Sequence, residues 1–182
     1  MCRRSQVRVL GVLGALVVSL SAAAFSQAFL TKESALEAHF PNSKIERKTV
    51  FLSENDVEKI QETAKSRVQS RVITYYVGKD GDGKAGYAFF DTHIVRTMPA
   101  TIMIVLNRDS TVRAVELLAF YEPEDYKPSE PWLGQFAGKS LKSDLWLKRG
   151  IRNIVGATLS AQSITDAVRV MLAVYQTAVP KE

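Results

Sequence analysis

Residues 72–121 read VITYYVGKDGDGKAGYAFFDTHIVRTMPATIMIVLNRDSTVRAVELLAFY, and this stretch decides the fold. It contains four runs rich in β-branched and aromatic residues, at 72–77, 86–95, 101–106 and 112–121, with short polar turns between them. Such runs are typical of β-strands, and short turns favour antiparallel pairing of consecutive strands. We therefore expect a four-stranded antiparallel meander.

Helical patterns flank the meander on both sides. Upstream, residues 31–40 and a segment that begins at Ser53 have helix start signals, with Ser53 and Asp56 as N-cap and first-turn acid. Downstream, the segment from about Ser160 to Thr177 spaces its apolar residues at three and four positions, as one face of a helix requires. Helices before and after an antiparallel sheet predict an α+β domain over residues 29–182.

The N-terminal segment is typical of an export signal. A basic start precedes an apolar run at 9–25, and Ser26 and Ala28 place small residues at the −3 and −1 positions of a cleavage site before Phe29. The apolar run is slightly shorter than a membrane span of ~20 residues. We therefore expect a cleaved signal peptide at 1–28, with an uncleaved membrane anchor as the alternative. Both place the protein outside the cytoplasm, in the periplasm or cell envelope.

Charge and cysteine content exclude several classes of protein. Arg3, Arg4 and Arg8 supply three of the five net positive charges, which leaves +2 for residues 29–182. With no basic run interleaved with aromatic residues, this charge gives no support for a nucleic-acid partner. Cys2 is the sole cysteine and lies in the signal, so the remaining chain has no disulfide, thiolate nucleophile or cysteine metal site.

The sequence predicts no other metal site. The turn Asp80-Gly81-Asp82-Gly83 has Lys84 where a calcium loop needs another oxygen ligand, and its glycines suit a hairpin turn. The two histidines lack metal-ligand spacing. We expect His39 on a helix surface and His93, near a strand end, in a structural hydrogen bond. A catalytic role for His93 is the alternative.

The proline-containing loop at 122–131 concentrates aromatic and acidic side chains. It is either a packed surface loop or a wall for a planar ring, because aromatic side chains stack on such rings and loops often hold sites. The residues available for that wall are Tyr121, Glu122, Tyr126 and Trp132. The sequence favours neither interpretation.

The segment Ile154-Val155-Gly156-Ala157-Thr158-Leu159-Ser160 directly precedes the C-terminal helix. The first amides of a helix lack internal partners and its N-terminus is positive, so a phosphate is stabilised there. Gly156 leaves the backbone open to approach, and Thr158 presents a hydroxyl. On these residues alone, plain N-capping by Thr158 or Ser160 is the simpler explanation.

Gly156-Ala157-Thr158, followed by Leu159-Ser160-Ala161 and an amphipathic helix, resembles the flavinylation motif of the FMN-binding domain family. That family includes the C subunit of sodium-translocating NADH:quinone reductase and the G subunit of the Rnf electron-transport complex. A looser likeness runs from Phe90-Asp91-Thr92-His93 through Trp132 to the C-terminus. Val155 departs from the Ser or Thr usual before the glycine, and residues 150–153 lack the usual upstream acid.

The resemblance implies that a flavin transferase, using FAD as donor outside the cytoplasm, esterifies FMN phosphate to the Thr158 hydroxyl. It implies cofactor contacts from Val155, Gly156, Ala157, Thr158, Leu159 and Ser160, with weaker candidates His93, Tyr121, Glu122, Tyr126 and Trp132. The implied function is electron transfer through FMN with a membrane or periplasmic partner, rather than turnover of a substrate of its own. A flavin-free exported binding module and a small-molecule flavin reductase are the alternatives.

We predict that the exported protein begins at Phe29 or within a few residues of it. The small residues at Ser26 and Ala28 motivate cleavage at this point. N-terminal sequencing of the protein purified from an exporting host measures it. A mature chain that keeps Met1 and fractionates with membranes would favour the anchor instead.

Overall fold

The computed structural model describes residues 31–79 and 81–180, which form an α+β domain around a five-stranded antiparallel sheet. The signal predicted at 1–28 lies outside the described residues. The strands lie side by side in chain order: β1 (Glu46–Phe51), β2 (Val72–Lys79), β3 (Ala85–Ile94), β4 (Pro99–Asn107) and β5 (Val112–Phe120). The predicted α+β class and the antiparallel meander are confirmed.

Strand β1 is the element that the sequence does not predict. Its residues, ERKTVF, begin with three charged side chains and show only a weak alternation of burial. β1 pairs with β2 from Glu46↔Val77 to Phe51↔Val72 and forms one edge of the sheet. Charged residues are common on edge strands, where they discourage further pairing, so the apolar pattern of a central strand is missing.

In the described part of the chain, four α-helices accompany the sheet: α1 (Lys32–His39), α2 (Glu54–Ala64), α3 (Glu130–Leu133) and α4 (Thr158–Ala178). The predicted start of α2 is confirmed, because the Ser53 hydroxyl accepts the Asp56 N–H and the Asp56 carboxylate accepts the Ser53 N–H. A 3-10 turn at Glu124–Tyr126 lies in the loop after β5. Among the described residues, no helix has the length and apolar content needed to cross a bilayer.

The helices cover both faces of the sheet. α4 packs on one face beside α2, and the ring of Tyr175 lies 4.7 Å from that of Tyr87 on β3. α1 covers the other face, where Leu36 and Phe40 pack on Met103 of β4. The larger of the two cores therefore lies under α4, the helix that follows the Gly156-Ala157-Thr158 motif.

Two paired glycines make room for α1. Gly78 on β2 and Gly86 on β3 are opposite each other in the ladder, and the buried Phe40 ring lies against both. A Cβ on Gly78 would lie 2.7 Å from Phe40 Cγ, and one on Gly86 would lie 2.6 Å from Phe40 Cε1. These distances are too short for a carbon–carbon contact, so glycine is required where the helix approaches the sheet.

We predict that Gly78→Ala lowers the free energy of unfolding by about 1–3 kcal/mol, because the added methyl overpacks Phe40. The control is Gly81→Ala, since a Cβ there meets nothing within 4 Å, and a change within about 0.5 kcal/mol is expected. Urea titration of both variants measures the difference. Equal urea midpoints for the two variants would show that the Phe40 ring moves away from the added methyl with no loss in the free energy of unfolding.

Candidate functional site at the start of the C-terminal helix

No side chain caps the start of α4. The helix begins at Thr158, two residues earlier than predicted, with Ala157 in the N-cap position and no capping hydrogen bond from a side chain. The expectation that Thr158 or Ser160 caps the helix is therefore wrong. Among the described residues, no side chain accepts a hydrogen bond from the amides of the first turn, which lie at the positive end of the helix dipole.

The turn before α4 presents the hydroxyl of Thr158. Gly156 has φ +82°, a conformation that favours glycine, and the Ala157 N–H donates to Ile154 O at 3.1 Å. Thr158 is exposed, and its Oγ1 accepts a hydrogen bond from Asn153 Nδ2 at 3.0 Å. This bond holds the hydroxyl oxygen in place and leaves its own proton available.

A cavity of about 210 Å³ lies against this helix start. Its walls come from three parts of the chain, namely the turn after β3, the loop after β5 and the motif: Val95, Arg96, Glu122, Tyr126, Gly156, Ala157, Thr158, Leu159 and Ser160. Of the predicted site residues, seven therefore line one cavity. Val155 lies outside it, with 97% of its surface exposed.

Arg96 adds a positive charge that the sequence analysis missed. It lies in the turn between β3 and β4 and lines the cavity, with its guanidinium carbon 5.9 Å from the centre of the Tyr126 ring. A guanidinium, a helix N-terminus and an exposed hydroxyl together suit a phosphate group. No local sequence signal identifies Arg96, because its place depends on residues far along the chain.

Glu122 holds the turn that carries Arg96. Its buried carboxylate accepts the backbone N–H groups of Thr97, Met98 and Arg96 at 2.6, 2.8 and 3.1 Å. These bonds, led by those from Thr97 and Met98, hold the pKa of the Glu122 carboxyl below its ordinary value. The side chain proposed from sequence as part of a ring wall is therefore engaged in positioning backbone.

The other predicted wall residues take different places. Trp132 is buried in the core, where its indole N–H donates to Arg152 O at 2.6 Å, and it does not line the cavity. It thus supports the segment that leads into the motif. Tyr121 is half exposed and follows β5, and its backbone N–H donates to Pro99 O at 3.1 Å. It is absent from the lining of the 210 Å³ cavity.

Both histidines are engaged by carboxylates. His93 is 6% exposed, and its Nδ1 lies 2.5 Å from Asp91 Oδ2, so it makes the hydrogen bond that the sequence predicts. It lines a second cavity, not the one beside Thr158. The prediction that His39 lies on a helix surface is wrong, because its Nε2 lies 2.5 Å from Glu116 Oε1 where α1 packs on the sheet. Within residues 31–79 and 81–180, no group of three or more metal-ligating side chains is found.

Comparison with known proteins finds a distant relative among electron-transfer complexes. No protein-family model matches the chain. The chain is similar to the G subunit of the Na⁺-translocating ferredoxin:NAD⁺ oxidoreductase complex of Acetobacterium woodii, with 25% identity over 138 residues. The match covers 66% of this chain, and the chain spans 64% of the length of that relative.

We predict that Glu122→Gln destabilises the protein at neutral pH and that the difference from wild type shrinks in acid. The ordinary pKa is 4.5 and the folded-state pKa is lower. The contribution of the carboxylate is therefore present above about pH 4.5 and is lost as the pH falls through the folded-state pKa. Thermal melts from pH 7 downward measure both parts of this prediction.

The control is Asp125→Asn, which removes an exposed carboxylate from the same loop. Its stability should stay within about 0.5 kcal/mol of wild type at every pH. A constant gap between Glu122→Gln and wild type across the acid range would contradict the role assigned to the charge.

Proposed function

We propose that this chain is an extracytoplasmic flavoprotein that holds FMN through a phosphoester to Thr158 Oγ1 and transfers electrons. The observation that supports the proposal best is the uncapped start of α4, which offers an anion site beside an exposed hydroxyl. The similarity to a component of a ferredoxin:NAD⁺ oxidoreductase complex agrees with an electron-transfer role. We also propose that the chain exchanges electrons with a redox partner in the membrane or the periplasm.

The residues at the cavity fit a phosphate. The first-turn amides and Arg96 supply N–H donors and positive charge, while Asn153 fixes the direction of the Thr158 oxygen. In the attachment step, Thr158 Oγ1 would bond to the FMN phosphorus of FAD, the pyrophosphate bond would break with AMP as leaving group, and the hydroxyl proton would pass to solvent. A flavin transferase is the catalyst of this step in our proposal.

The ring of the flavin is expected to lie outside the cavity. Pockets that enclose ligands of this size have volumes of roughly 300–1,000 Å³, whereas this cavity has about 210 Å³. The cavity therefore has room for the FMN phosphate and the aliphatic part of FMN next to it. Leu159, which lines the cavity, and Tyr121, which precedes the lining residue Glu122, are more than half exposed and offer apolar surface on which a ring can rest.

FMN supplies one- and two-electron chemistry, and the protein supplies attachment and surroundings. A covalent tether suits a compartment outside the cytoplasm, because a dissociated cofactor would be diluted there. The tether keeps the effective concentration of flavin at the protein high. Arg96 and the helix dipole stabilise negative charge on the phosphate end.

We predict that Thr158→Ala abolishes covalent flavin. Wild-type protein coexpressed with a flavin transferase in the export compartment should be yellow, and the flavin should survive denaturation, because an ester does not depend on the fold. Absorbance and in-gel fluorescence after denaturation measure this. Since Thr158 does not cap α4, Thr158→Ala should change stability by less than about 0.5 kcal/mol.

Thr177→Ala, at the exposed far end of the same helix, is the matched control and should keep the flavin. Thr158→Ser retains an oxygen and should keep part of it. Val155→Thr introduces the residue usual in the family and should not reduce incorporation. A colourless wild-type protein in the presence of an active transferase would contradict the proposal. The flavin-free binding module would then be the better interpretation.

A further inference from the structure

The sheet opens at one end between β2 and β3. Pairing of β2 with β3 runs from Lys79↔Ala85 only as far as Tyr75↔Phe89. Beyond this point, residues 72–74 pair only with β1, and residues 90–94 pair only with β4. The two strands therefore separate, and we call the space between their unpaired ends the strand-gap slot.

The slot has a volume of about 630 Å³, within the range of roughly 300–1,000 Å³ found for small-molecule sites. Its walls are the separated strand ends and the loop at 66–70, and Ala167, Val170 and Met171 of α4 contribute apolar surface. Tyr76 and Phe90 line it as an edge-to-face pair with ring centres 5.4 Å apart. These walls suit a planar apolar body.

His93 lines this slot and has a buried ring nitrogen without a hydrogen-bond partner among the described residues. The residue is more than nine-tenths buried, and its Nε2 is buried with no hydrogen bond among the described residues. Its Nδ1 bonds to Asp91 Oδ2, so Nδ1 is the donor of that bond, and in the tautomer with a single proton on Nδ1 the Nε2 atom is an acceptor. Buried polar atoms are nearly always bonded, so a ligand hydroxyl at Nε2 explains this exception.

The charges around the slot favour an anion. Lys32, Arg47 and Arg67 line it. The two acids of the lining are engaged elsewhere: Asp91 bonds to His93, and Asp166 bonds to Gln162 and Arg169. Positive charge is therefore in excess around a slot that has both polar and apolar walls.

We propose that the strand-gap slot binds a planar aromatic anion whose ring hydroxyl donates a hydrogen bond to His93 Nε2. The planar body lies between the strands, the hydroxyl meets the unpartnered nitrogen, and the acid group faces the cations. The proposal is independent of flavin attachment. The two sites are neighbours, however, since Val95 follows the end of β3 two residues after His93, and Ser160 and Ser163 lie one turn apart on α4.

The test uses the full exported chain and two probes, para-coumarate and cinnamate, which differ by the ring hydroxyl alone. Para-coumarate should bind about tenfold more tightly, the difference that one hydrogen bond makes. In ¹⁵N-labelled protein, para-coumarate should shift the Nε2 resonance of His93 and leave that of His39 unchanged. Calorimetric titration gives the affinities, and NMR locates the probe.

His93→Phe removes the acceptor, so both probes should bind it with equal affinity, whereas His39→Phe should keep the tenfold difference. If His93→Phe does not fold, the ratio of the wild-type affinities for para-coumarate and cinnamate tests the proposal without it. Equal affinity of the wild type for both probes, or an unmoved His93 resonance at millimolar para-coumarate, would overturn the proposal and leave water as the occupant of the slot.

Discussion

The packing of α4 across one face of the sheet fixes the position of the Gly156-Ala157-Thr158 motif, on which the candidate site depends. Its buried side, which includes Val168, Leu172 and Tyr175, joins the main core, and Tyr175 meets Tyr87 of β3. A helix anchored in this way along its length has its first turn in a defined place. That place is beside the turn after β3 and the loop after β5, so the motif meets residues that lie about 30 to 60 positions earlier in the chain. Ala167, Val170 and Met171 of the same helix line the strand-gap slot, so α4 contributes to the walls of both cavities.

A second constraint acts on the part of the cavity wall that contains Arg96. The carboxylate of Glu122 gathers three consecutive backbone N–H groups at the turn between β3 and β4, and in doing so it fixes Arg96 against the cavity. The cation and the uncapped helix start then lie at the same small cavity as the exposed hydroxyl of Thr158, which is the nucleophile in our proposal. Outside the cytoplasm, this combination suits permanent attachment of an anionic cofactor. The strand-gap slot, lined by His93 near the end of β3, would also give a flavin reductase the cavity that such an enzyme requires.

Most of the fold follows from local patterns, and the errors have physical reasons. β2 to β5 and α4 have strong periodicity because each buries one face in the core, whereas β1 is an edge strand whose charged residues conceal it. The motif at Gly156-Ala157-Thr158 could be found from sequence, but the capping role could not be judged, because it depends on where the helix begins. Trp132 looked equally suitable for a ring wall or for packing, and tertiary contacts place it in the core. Arg96 could not be found at all, since its position depends on a hydrogen bond to a residue 26 positions away.

The central claim is that the open start of α4 bears FMN on one defined oxygen. Peptide mapping tests it most directly, because trypsin cuts after Arg152 and Arg169 and releases NIVGATLSAQSITDAVR, in which Thr158, Ser160, Ser163 and Thr165 all carry hydroxyls. Tandem mass spectrometry of this peptide, from protein made with a flavin transferase, should place FMN less one water on Thr158. Ser160 and Thr165 are buried, and Thr158 is exposed. An unmodified peptide, or FMN on any of the other three residues, would contradict the account.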